Sequence, residues 1–89
     1  MRVVILYHPN SEHSRTILDY VRDWTKFKGP QKKIELISLE TREGSEMARL
    51  YSVTNYPAML VLAEDGRVQQ LWQSGTMPLM NELDAYFHN

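Results

Sequence analysis

The stretch "YSVTNYPAMLVLAEDGRVQQLWQSG", residues 51–75, decides the fold. "PAMLVLA" is a short, near-continuous apolar run, the pattern of a strand buried on both faces. Pro57 opens it, and proline cannot donate to a sheet ladder, so it belongs at a strand's start. "EDG" follows as a hairpin turn in which Gly66 is free to take positive φ. "RVQQLWQ" is then the antiparallel return strand. Before the stretch, Met47, Leu50 and Tyr51 repeat at helical spacing, so a short helix starting at Ser45 is predicted to run into it.

Working outward, "RVVILYH" (2–8) is a second buried strand, rich in β-branched residues and ended by Pro9. Asn10 or Ser11 is placed to cap a following helix. The inner face of that helix would be Ile17, Leu18, Val21 and Trp24. "KGPQ" breaks it, and "KIELISLE" (33–40) is the next strand, with Lys32 and Lys33 at an exposed start. At the far end, Thr76 is expected to cap a last helix with Pro78 near its first turn. Leu79, Met80, Leu83, Tyr86 and Phe87 would face inward. The order is β-α-β-α-β-β-α, an α/β fold. Strands joined through a helix should be parallel, with a right-handed crossover. The sheet is therefore mixed, with helices on both faces.

The totals bound the function. A chain of 89 residues is one domain, spanning 1–89, that buries roughly 60–65% of its unfolded surface. Ten Lys and Arg against eleven Asp and Glu leave a net charge of −1, with no basic run to hold nucleic acid or anionic lipid. The apolar runs are far too short to span a membrane. Met1 leads directly into a strand, leaving no room for a signal peptide, so the cytoplasm is the expected compartment. There is no cysteine, hence no disulfide and no thiolate metal site.

Two segments carry a resemblance to the thioredoxin-like superfamily in its short, glutaredoxin-like form. In residues 51–75 the matching positions are Tyr51, Val53, Pro57, Gly66 and Gly75. In "YHPNSEHSR" (7–15), Ser11 and Ser14 stand where the two redox cysteines would be, with Arg15 where a basic residue is common. The resemblance implies a cis bond before Pro57. It also implies that Tyr56 offers its free backbone N–H and C=O to an extended peptide or to glutathione. Three departures stand out: the thiols are absent, Ile5 replaces the buried acid of thioredoxins proper, and the glutathione-holding glycine pair is reduced to "SGTM".

Thiol–disulfide exchange needs a thiolate, which Ser11 cannot supply. A hydrolytic Ser11 needs a base, yet His13, two residues on, does not share its helix face. Capping and a solvated first turn are the plainer roles for Ser11 and Ser14. His8, His13 and Glu12 make too thin a set for a metal, so none is expected. Trp24 and Trp72 read as core, and "EGSE" as a turn too short for a phosphate loop. The resulting expectation is a redox-inactive binding module that uses no cofactor and engages an extended peptide or protein segment. Its candidate residues are Asn10, Ser11, His13, Tyr56, Pro57 and Gly75. Two alternatives stand beside it: a thiol–disulfide oxidoreductase whose cysteines were exchanged for serine, and a serine-type glutathione-binding protein.

Overall fold

The computed structural model describes residues 1–29, 31–73 and 77–87. The elements are β1 (Arg2–Tyr7), α1 (Ser14–Lys28), β2 (Ile34–Ser38), α2 (Arg42–Leu50), β3 (Ala58–Leu62), β4 (Val68–Trp72) and α3 (Met80–Phe87). They form one four-stranded sheet in the order β2-β1-β3-β4. β1 pairs parallel with β2, Ile5 opposite Leu36, and antiparallel with β3, Val4 opposite Leu60. β3 and β4 form the antiparallel hairpin, with an irregularity between Val61 and Leu62.

Side chains alternate across a strand, so the two central strands feed two cores. On one face Val4, Leu6, Leu60 and Leu62 meet Met47 and Ala48 of α2. On the other, Val3, Ile5, Met59 and Val61 meet Ile17 and Trp24 of α1 and Leu83 of α3. Every residue of β3 is buried. At about 1.5–3 kcal/mol for each large apolar side chain taken out of water, this double burial is the main cohesive term.

Trp24 is fully buried and donates its indole N–H to the Lys32 carbonyl. Lys28 and Lys32 both reach Asp84 of α3, at 3.4 and 2.9 Å. Lys32 is therefore half-buried rather than the exposed strand start expected for it. Tyr20 donates to the Pro78 carbonyl at 2.9 Å, and burial pushes its hydroxyl pKa up to about 12. Across the sheet, Tyr51 at the end of α2 donates to the Gly66 carbonyl at 2.9 Å and ties that helix to the hairpin turn. Gly66 takes φ 88°, as the turn requires.

Several local expectations need correction. α1 starts at Ser14, and neither Asn10 nor Ser11 caps it. His13 is the N-cap and makes no side-chain cap bond. The Ser11 hydroxyl is instead drawn back to the His8 carbonyl, which turns the chain before the helix begins. α2 starts at Arg42 rather than Ser45, because Thr41 Oγ1 accepts the Gly44 N–H at 3.1 Å. Leu18, Leu50 and Leu79 are 48%, 72% and 68% exposed and do not belong to the inner faces. Leu79 stands just before α3, where its N–H is accepted by Glu82 Oε1, half of a capping box. The cap expected at Thr76 lies outside the described residues.

Gly44 sets how closely α2 approaches β2. A Cβ built there would fall 2.1 Å from the Ser38 carbonyl oxygen, a backbone atom that cannot swing aside. Gly44→Ala should therefore destabilise the fold by about 1–3 kcal/mol, although alanine is the better helix former. Thr41→Ala, which only removes the cap, should cost about 1 kcal/mol. Urea unfolding of the two variants checks the order. A neutral Gly44→Ala would mean that α2 does not sit against Ser38.

Candidate functional site

The register of the sheet builds the site. Leu6 pairs with Ala58, so the antiparallel count places His8, just beyond β1, level with Tyr56, just before β3. Their rings meet edge to face, with centroids 5.5 Å apart. The Tyr56 hydroxyl donates to the Val53 carbonyl at 3.0 Å, which fixes its ring over the end of α2. The Tyr56–Pro57 bond is cis, and Pro57 is buried. Neither the N–H nor the C=O of Tyr56 hydrogen-bonds to another described residue.

Residues 8–14 wind over this point in successive turns. The carbonyl of His8 accepts the Ser11 N–H at 3.1 Å and the Ser11 hydroxyl at 2.6 Å. The Ser14 N–H reaches the Ser11 carbonyl at 3.2 Å. His13 folds back so that its ring Nε2 accepts the His8 N–H at 3.3 Å. Burial, with a smaller contribution from the His8 charge, holds the His13 pKa below its ordinary value. Asn10 points away toward Glu40, 3.4 Å from its carboxylate. Ser11 thus lies three residues ahead of the helix, beyond the turn over which a helix dipole acts. The hydroxyl there donates to the His8 carbonyl and, among the described residues, hydrogen-bonds to no basic side chain.

The His8–His13 turn and the Tyr56–Pro57 turn separate two clefts. One, of about 340 Å³, lies toward α2 and is lined by His8, Ser45, Arg49, Val53 and Tyr56. Arg49 forms no ion pair with a described residue, so this cleft carries an uncommitted cation. The other, of about 440 Å³, lies toward α1 and is lined by His13, Ile17, Tyr20, Asp23, Pro57 and Met77. His13, Tyr56 and Pro57 therefore meet around one feature, with Ser11 joined to it through His8. Asn10 sits at its margin, and Gly75 lies outside the described residues. Among the described residues no group of three His, Asp or Glu is placed to hold a metal ion, and no helix is long and apolar enough to cross a membrane.

Sequence reasoning did not find Arg49, Ser45 or Met77. Arg49 reads as one more polar position of an amphipathic helix. Only the docking of α2 brings it beside Tyr56, and no local pattern signals that.

No protein-family model matches the chain, and no curated protein matches it. Solved structures do. Thioredoxin 1 from the thermophilic eubacterium Thermosipho africanus TCF52B is similar over 99% of this chain and 96% of its own, with TM-score 0.71 and 13% identity. A thioredoxin from Thermus thermophilus is 24% identical, covers 98% of this chain and 72% of its own, and has TM-score 0.47. The first likeness shows that the chain has the thioredoxin fold.

The two serines should separate on substitution. Ser11→Ala removes the 2.6 Å bond to His8 and should cost about 1 kcal/mol, or about 4–8 °C in Tm for a domain of this size. Ser14 makes no side-chain hydrogen bond to a described residue, and Ser14→Ala should stay within about 0.5 kcal/mol. Equal effects at both positions would contradict the distinct roles seen here.

Proposed function

We propose that this chain, with a thioredoxin fold and no thiol, is a redox-inactive binding module that takes an extended peptide or protein segment across the Tyr56–Pro57 turn. The observation that carries the reading is the open backbone edge of Tyr56, N–H and C=O, between two clefts. A strand-like segment satisfies such groups by β-augmentation, and side-chain pockets on either side supply selectivity. Arg49 and the Ser45 hydroxyl give the α2 cleft donors for a carboxylate, either an acidic side chain or a chain terminus. The site residues in this reading are Asn10, Ser11, His13, Tyr56, Pro57 and Gly75 from the sequence, with Arg49 added by the structure.

Thiol–disulfide exchange is closed to the chain, because a mixed disulfide needs a thiol and the chain has no cysteine. Glutathione, itself a short peptide ending in a carboxylate, competes for the same cleft as a second ligand of this reading. Backbone amide shifts recorded during titration with blocked peptides, and separately with glutathione, test the proposal. Perturbations should cluster at Asn10–Ser14, Arg49, Tyr56 and Ala58. Arg49→Ala should weaken acid-terminated peptides about tenfold while leaving blocked neutral ones unchanged. Perturbations scattered over the surface, or none with any peptide or with glutathione, would refute the binding site.

A further inference from the structure

We propose that His13 is a proton-operated latch on this groove: its neutral ring pins the β1–α1 turn by accepting the His8 N–H, and its protonation releases that turn and weakens segment binding. The regulatory half of the inference rests on the binding reading above; the latch itself rests on geometry alone. Because Nε2 is the acceptor, the neutral ring carries its proton on Nδ1. Imidazolium has a proton on both nitrogens and accepts nothing, so protonation at Nε2 turns the 3.3 Å contact into donor against donor.

The cap position and the His8 ring work in the same direction. His13 is the N-cap of α1, where the helix dipole presents its positive end and disfavours a cation. The His8 ring stands 6.4 Å from it, so a second positive charge there adds repulsion. Other titratable groups frame the site: Glu12 is next in sequence, and Asp19, Tyr20 and Asp23 of α1 line the same cleft. Arg22 lies 3.2 Å from Asp19 and 3.7 Å from Asp23 and offsets one of their two negative charges; the charge that remains acts against the cap and His8 effects. From the other elements come His8 at the end of β1 and Tyr56 ahead of β3. The displaced atoms are those that shape the groove, since the His8 ring packs against Tyr56 and the His8 carbonyl anchors Ser11.

The folded pKa of His13 is depressed, so the unfolded chain takes up this proton first as pH falls. Stability is full above the unfolded value of about 6.5, declines as pH drops through it, and levels off below the folded value.

Two readouts on the full chain test the latch. Histidine-ring nitrogen spectra at about pH 7.5 should show His13 as the Nδ1–H tautomer. The His8 amide should then titrate with the midpoint of the His13 ring, not with that of its own ring. His13→Gln offers an acceptor that does not titrate, so its His8 amide should stay still. His8→Asn keeps the backbone donor and should leave the transition in place. Affinity for a peptide that perturbs Tyr56 should fall roughly fivefold between about pH 7.5 and pH 5, the worth of one net hydrogen bond, and stay level in His13→Gln. A His8 amide that follows its own ring overturns the latch, as does an Nε2–H tautomer. Equal pH dependence of binding in the parent and His13→Gln overturns the regulation. Absence of any peptide binding defeats the groove reading, and the His8 amide still decides the latch.

Discussion

Everything in this molecule depends on the double burial of the β1–β3 pair. Both strands lose water on both faces, so each alternate side chain must find a helix on its own side of the sheet. That demand places α2 on one face and α1 with α3 on the other, and no single-layer arrangement would satisfy it. The helices differ in how they are held. α1 is bound to α3 by the Lys28–Asp84 ion pair and by the ring contact of Trp24 with Phe87, and Lys32, in the loop after α1, reaches the same Asp84. α2 is held by close approach at Gly44 and by the Tyr51 hydroxyl on the hairpin.

The same pairing makes the site. Antiparallel strands bring the end of one level with the start of the other, so His8 and Tyr56 meet because Leu6 and Ala58 are paired. The chain then needs turns on both sides of that point, and turns leave backbone groups that the sheet does not use. Tyr56 keeps such groups open, whereas the His8 carbonyl is claimed by Ser11. The polar chemistry at the end of the sheet is therefore largely a matter of which backbone groups the turn residues leave unclaimed.

The two serines play different parts: the Ser11 hydroxyl is bonded within its own turn, and Ser14 makes no side-chain hydrogen bond to a described residue. A hydroxyl is a stronger hydrogen-bond donor than a thiol, and at Ser11 that capacity tightens the turn. His13 stands at the N-cap of α1, and its ring reaches back to the strand end. Both the Ser11 hydroxyl and the His13 ring are engaged by hydrogen bonds within the chain.

The strands, the hairpin, and the parallel and antiparallel pairings were legible because buried strands and turns write themselves locally: "RVVILY" and "AMLVL" as unbroken apolar runs, "EDG" as a turn that Gly66 permits. The start of α2 was misread because Gly44 looks like a breaker when seen alone. Only the Ser38 carbonyl against it shows why glycine stands inside a helix. The start of α1 was misread because Ser11 has two possible hydrogen-bond partners, and the choice between its own turn and the helix is made by the fold around His8. Sequence by itself determined the order of elements, the burial of the central strands on both faces and the absence of thiol chemistry, because each depends on composition or short-range periodicity. Only the tertiary structure decided that Arg49 joins His8 and Tyr56 at one end of the sheet, because their meeting depends on strand register and helix docking between residues far apart in the chain.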